Sequence, residues 1–145
     1  MRIPAVAIDT SVFVAAGFRP DSDSGRVIAA VRSGALRLVW SDETRDETRT
    51  LLERIPPLSW SAALDLFLEE HRVADAESTE SFLAVEDPDD RKFAALATLA
   101  GATLVSLDRH LLNADLGDRC IVRRPSDLLR DLAMGSASDI GKEFG

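Results

Sequence analysis

Along this chain, short apolar runs alternate with stretches whose apolar positions recur at helical spacing. Ala5-Val6-Ala7-Ile8 is small and branched throughout, the pattern of a strand buried on both faces, and Asp9 follows it. Thr10 and Ser11 offer N-cap hydroxyls to a helix opening with Val12, Phe13, Val14 and Ala15. From Gly25 to Ser33 a helical face carries Val27, Ile28 and Val31, with Gly34 closing it. Leu36 to Trp40 predicts a second strand. Ser41 or Asp42 then caps a helix reaching about Arg54, where Pro56-Pro57 stops it. Ser59 opens a further amphipathic helix, with Ala62, Ala63, Leu66 and Phe67 inward, ending near His71.

The pattern weakens from Val73 to Glu80, and Phe82 to Val85 reads as a short strand. It sharpens at Asp87-Pro88, a helix start with Asp as N-cap and Pro at the first helical position; this helix runs to Ala100 and ends at Gly101. Thr103 to Leu107 is a strand with Asp108 at its end, repeating the arrangement at Asp9. A short turn or helix from Arg109 to Leu112, a last strand from Cys120 to Arg123 and a helix from Pro125 to about Ala133 complete the order. Strands alternating with helices predict an α/β fold: a three-layer α/β/α sandwich on a five-stranded, mainly parallel sheet. Residues 1–134 form one domain on this reading, and the small, polar segment 135–145 is a flexible tail.

Charge changes the picture more than composition does. A net charge of −8 argues against sequence-blind binding to a polyanion, which needs a basic footprint. The objection fades if the acids are gathered in one pocket and neutralised by metal, because four carboxylates held there would account for half of that charge. The single cysteine, Cys120, has no partner for an internal disulfide and reads as a small core residue of the last strand. A reducing, cytoplasmic location is expected. No stretch resembles a signal peptide or reaches membrane-spanning length, so no membrane association is expected.

Four acids stand out. Asp9 and Asp108 each end a strand, at the sheet edge where open parallel sheets bind ligands. Glu47 shares a helical face with Thr44 and Leu51, toward the sheet, whereas Asp46 aligns with Arg49 and Thr50 on the solvated side. Asp90 sits above Phe93, Ala94 and Ala97. Each has an ordinary explanation: Asp9 and Asp108 as helix caps, Glu47 as a partner for Arg54, Asp90 as a first-turn acid favoured by the helix dipole. Together they point elsewhere, because carboxylates converging on one edge repel unless protonated or bound to a cation. Hard ions such as Mg²⁺ or Mn²⁺ suit oxygen donors, and no His or Cys stands at zinc spacing. His71 and His110 are read as non-catalytic.

The sequence resembles the PIN-domain ribonucleases, especially the VapC-like toxins of bacterial toxin–antitoxin pairs. The resemblance covers the chain to about Ala133. It rests on Ile8-Asp9-Thr10-Ser11, on Ser41-Asp42-Glu43 leading to Glu47 and Leu51, on Asp87-Pro88-Asp89-Asp90-Arg91-Lys92-Phe93 with Ala97 and Gly101-Ala102, and on Ser106-Leu107-Asp108 with Leu111-Leu112. It implies a PIN-like nuclease domain in which Asp9, Glu47, Asp90 and Asp108 form the acidic quartet. Asp9, Asp90 and Asp108 would hold Mg²⁺ or Mn²⁺, with Glu47 completing the shell or orienting water. Ser11 stands where the family has Asn or Ser, and Ser106 where Thr is usual. The implied activity is endonucleolytic hydrolysis of RNA, leaving a 5′-phosphate and a 3′-hydroxyl. The implied partners are RNA, a small cognate antitoxin protein and a second copy of the chain, paired through the apolar segment from Leu58 to Phe67. Arg19, Arg26, Arg45, Arg49, Arg91, Lys92 and Arg109 are candidates for contacts to the RNA backbone. The alternatives are a non-toxin PIN nuclease of RNA processing and a catalytically silent PIN-like binding module. A phosphatase or phosphotransfer domain fits less well, because Thr10-Ser11 follows Asp9 where an Asp-x-Asp start would be needed.

Overall fold

The computed structural model describes residues 3–76, 78–85, 87–114, 116 and 119–144, with side chains described through Met134. The elements run β1 (Ala5–Ile8), α1 (Thr10–Phe18), α2 (Asp23–Arg32), β2 (Arg37–Leu38), α3 (Asp42–Arg54), α4 (Pro88–Ala100), β3 (Thr103–Val105), α5 (Arg109–Leu112), β4 (Val122–Arg123) and α6 (Pro125–Phe144). The sheet order is β2-β1-β3-β4 and every pairing is parallel, with Ile8 opposite Val105 and Val105 opposite Arg123.

The pleat separates two cores. Val6, Ile8 and Val105 turn to one face, where Val12, Phe13, Val27 and Leu52 of α1, α2 and α3 cover them. Ala7 and Leu104 turn to the other, against Phe93, Ala94, Leu96 and Ala97 of α4 and Leu111 of α5. Three layers result because the central strands β1 and β3 bury apolar residues on both faces, while the edge strands β2 and β4 each expose an arginine, Arg37 and Arg123. Two glycines fix the connections. A Cβ at Gly25 would lie 2.0 Å from the Pro20 carbonyl oxygen, so only glycine lets the α1–α2 turn close on α2. Gly101 ends α4 in the left-handed conformation, at φ 63°.

Among the described residues the sheet has four strands where five are expected. Phe82 to Val85 forms no strand; a 3₁₀ turn spans Glu80–Phe82, and the Phe82 and Val85 amides bond back to the Thr79 and Phe82 carbonyls. Phe82 and Val85 are buried three residues apart while Leu83 is 67% exposed, a turn's spacing and not a strand's alternation. The helix expected from Ser59 is likewise replaced by 3₁₀ turns at Trp60–Ala62, Leu64–Leu66 and Glu69–His71. Ala63 and Leu66 are buried three apart, and amides bond to carbonyls three residues back, which rotates Leu64 and Leu68 into solvent. Cys120 lies just before β4, half-buried against the α4 core, where burial pushes its thiol up. The final helix continues past Ala133, its backbone helical to Phe144. Among the described residues, no helix is long and apolar enough to cross a membrane.

Candidate active site

The chain leaves β1 toward β2 on one side and returns to β3 on the other. The sheet's topological switch point therefore lies between the carboxyl ends of β1 and β3, the place where open α/β sheets form a crevice. Asp9 and Asp108 follow those two strand ends. The Asp9 amide donates to the Val105 carbonyl at 2.9 Å, so the pairing of β1 with β3 runs up to the site itself.

Asp9 occupies the N-cap position of α1, but its carboxylate makes no capping hydrogen bond to the helix. It is 4% exposed, and its Oδ2 accepts from the Ser106 hydroxyl at 2.6 Å and the Ser11 hydroxyl at 3.0 Å. Burial raises the Asp9 carboxyl above its ordinary range; the two hydroxyls hold it back, and the Asp108 charge raises it further. Thr10 and Ser11 are thus not the caps their sequence position suggests. Ser11 supports Asp9 and accepts from the Leu107 amide at 3.2 Å. Thr10 Oγ1 and Thr48 Oγ1 share a buried hydrogen bond of 2.9 Å that ties α1 to α3.

Asp108 does cap α5, accepting from the His110 amide at 2.8 Å, while its own amide donates to Ser106 Oγ at 2.9 Å. Ser106 is therefore a two-way brace between the strand-end acids. Asp90 is the third residue of α4, where Pro88 opens the helix and Asp87 caps it by accepting from the Asp89 amide at 3.0 Å. Phe93, Ala94 and Ala97 below it are buried, as its spacing predicts. Burial pushes the Asp90 carboxyl up to about 8, and the charges of Asp9, Asp108 and Asp87 add to the effect. A hydrogen bond to Asp108, which only protonated Asp90 can donate, acts in the same direction.

Glu47 stands to one side of this group. The buried stripe of α3 is Thr44, Thr48 and Leu52, whereas Leu51 is 38% exposed, so Glu47 flanks the packed face without lying on it. Its ion-pair partner is not Arg54 but Lys92 of α4, at 3.5 Å, with the two side chains 17% (Lys92) and 26% (Glu47) exposed. Burial raises the Glu47 carboxyl, Lys92 lowers it, and Asp89 and Asp9 raise it again. This α3–α4 pairing spans 45 residues, and nothing in local spacing announces it.

The three aspartates from β1, α4 and the β3 exit thus act on one another, and Glu47 joins them at a distance. Among the described residues, no three acids stand close enough to clasp one ion as they are placed. The donor set nonetheless fits a hard divalent cation. It is all oxygen; Asp90 Oδ2 is buried without a hydrogen-bond partner among the described residues, and the buried Glu47 Oε2 has only the Lys92 ammonium, at 3.5 Å. A cavity of about 670 Å³ between α1, α2 and residues 57–66 is mostly apolar and holds none of the four acids. Of the cations expected near the site, Arg26, Arg45 and Arg49 pair with acids of their own helices, and Arg91 donates to the Val85 carbonyl at 2.8 Å.

Among solved structures, the chain is similar to PAE2754 from Pyrobaculum aerophilum, with 22% identity over 91% of each chain and a TM-score of 0.56. It is similar to a chain of FitAB bound to the IR36 DNA fragment, with 14% identity over 83% of this chain and 94% of the other, TM-score 0.55. It is similar also to a chain of VapBC2 from Rickettsia felis bound to a DNA fragment from their promoter. There the identity is 15% over 83% of this chain and 98% of the other, with a TM-score of 0.56. No curated protein sequence matches the chain. At these identities the structures speak for the fold. The sequence profile of the PIN domain matches residues 5–110, a span holding all four acids and the switch point between them, and the chain belongs to the PIN domain family.

Proposed function

We propose that this chain is a divalent-metal-dependent endoribonuclease, the toxin of a toxin–antitoxin pair. The observation that carries the reading is the influence of Asp9 and Asp108 on Asp90 at the β1–β3 switch point: the Asp90 carboxyl is pushed up to about 8, and its Oδ2 is buried without a hydrogen-bond partner among the described residues. Asp9, Asp90 and Asp108 would hold Mg²⁺ or Mn²⁺, and Glu47 would complete the shell or orient the attacking water. The ion would lower the pKa of that water and stabilise charge on the phosphate and the leaving oxygen. Ser106 and Ser11 fix the Asp9 carboxylate, so it presents the same face to every substrate. Lys92 holds Glu47 within the site and offers a positive charge beside it. Water adds across the P–O3′ bond, leaving a 5′-phosphate and a 3′-hydroxyl.

VapBC2 and FitAB, whose fold this chain shares, are each bound to DNA in their structures. That likeness, with the sequence resemblance to VapC-like toxins, supports a small antitoxin as partner here, and a homodimer belongs to the same reading. Asp9→Asn tests the centre of the proposal. The amide keeps the size of aspartate and loses the charge that holds the ion. Cleavage of a structured RNA in Mn²⁺ should vanish while the thermal melt still shows a folded protein. Full activity in a folded Asp9→Asn protein would sink the reading. The separation of the acids leaves one rival, a PIN-like module that binds without cutting. Calorimetric titration with Mn²⁺ separates them, because acids that serve only as caps bind no metal.

A further inference from the structure

A second cavity, about 380 Å³, opens beside the carboxylate edge and plays no part in the proposed hydrolysis. Phe18, Leu107, Arg19 and Arg124 line it. Phe18 is 52% exposed and Leu107 44%, so an aromatic ring and a branched side chain stand in water at the same hollow. Phe18 takes no part in the aromatic cluster that Phe13, Trp40 and Trp60 form around Phe67. Among the described residues, neither Arg19 nor Arg124 has an acid within ion-pair distance; Asp23, which also lines the hollow, is answered by Arg26 at 3.7 Å. Two unmatched cations beside an apolar wall are unusual on a chain of net charge −8.

The hollow is tied to the site by one residue. The Leu107 amide donates to Ser11 Oγ, and that hydroxyl bonds Asp9, while the Leu107 side chain lines the hollow. Helix α1 carries the same connection, running from Ser11 at the acids to Phe18 at the hollow, about 10 Å along the axis. That is the reach of a neighbouring nucleotide on a strand whose phosphate lies at Asp9.

We propose that this hollow is a nucleotide subsite, taking an unpaired base of the substrate RNA against Phe18 and Leu107, with strand phosphate on Arg19 and Arg124. The proposal rests on the nuclease reading and adds to it a place on this chain for the nucleotide next to the cleaved bond. A base face suits an exposed ring whatever its sequence, and a duplex has no free face to offer. The two arginines supply the charge complementarity for the backbone.

The test measures kcat and KM in Mn²⁺ on a short single-stranded oligoribonucleotide of mixed sequence and on the same strand annealed to its complement. Phe18→Ala should raise KM about tenfold on the single strand, with kcat unchanged, the loss expected for one stacked base. Phe18→Trp should restore it, which a merely structural role would not. Arg124→Ala should raise KM and lower the salt slope of binding by about 1. If wild type cleaves and these variants keep its KM, the subsite is overturned and the nuclease reading stands. Equal losses on single strand and duplex would overturn the stacked base. If wild type cleaves neither, the nuclease reading fails. Fluorescence anisotropy of the labelled single strand then decides: weaker binding to Phe18→Ala supports the subsite, equal binding overturns it. Binding of a labelled acidic aromatic peptide in place of the oligonucleotide would assign the hollow to a protein partner and overturn the proposal.

Discussion

Asp90 concentrates the site's electrostatic strain in one side chain. Its carboxyl is pushed up to about 8, first by burial and then by Asp9 and Asp108. The folded metal-free protein therefore holds a proton there that the unfolded chain has released above about pH 4. A raised acid contributes stability that is complete below the unfolded value and is lost as pH climbs through the folded one. The melting temperature of the metal-free protein should accordingly fall between about pH 4 and about pH 8. Asp90→Asn should flatten that profile, leave the metal-free protein at least as stable as wild type at neutral pH, and shrink the rise in melting temperature on adding Mn²⁺. An acid serving only the helix dipole predicts the opposite sign, a loss of about 0.3–1 kcal/mol and no metal response. Thermal melts across pH, with and without Mn²⁺, distinguish the two. The places of Asp9 and Asp108 after strands and of Asp90 in the first turn of α4 were readable from sequence, because strand ends and first turns are local features. The supports were not. Ser106 reaches Asp9 across 97 positions, and Glu47 meets Lys92 only after α3 and α4 have packed.

Among the elements, the join between α1 and α2 depends on the absence of a side chain at Gly25. Gly25→Ala would set a methyl 2.0 Å from the Pro20 carbonyl oxygen, and that atom is backbone, which cannot swing aside. The substitution should cost on the order of 1–3 kcal/mol, read as a lower denaturation midpoint with an unchanged slope. Elements with strong punctuation were legible in advance. Asp87-Pro88 with Gly101 marked α4, and Ser41 marked α3, where the structure adds a capping box with Thr44. The segment from Ser59 to Val85 was not. Its apolar residues come in short consecutive runs, which helix and strand templates both half-match, and the backbone settles into 3₁₀ turns that bury residues three apart, Ala63 with Leu66 and Phe82 with Val85. With the Phe82 and Val85 amides turned back onto the chain, this stretch runs as turns, and among the described residues Phe82 to Val85 forms no strand.

For the molecule as a whole, the segment from Leu58 to Phe67, through which a homodimer is expected, spends much of its apolar surface on its own domain. Trp60 packs on Phe67 at 5.1 Å within the same chain and so covers this domain's own core. Leu64 and Leu68 are left exposed for a partner. Light scattering at micromolar concentration should give twice 15.8 kDa, and a clean monomer would count against pairing. The bond between Ser106 and Asp9 has a consequence in the life of the protein before it is complete. A ribosome releases Asp9 early, but the hydroxyl that fixes it, the strand that pairs beside it and the acid that faces it all arrive in the last third of the chain. Until about residue 123 has emerged and β3 has slotted between β1 and β4, a nascent chain carries its aspartates without a site. A chain that cuts RNA would thus be made on an RNA template in a form that cannot attack it. Any fragment that stops short of β3 would be harmless for the same reason.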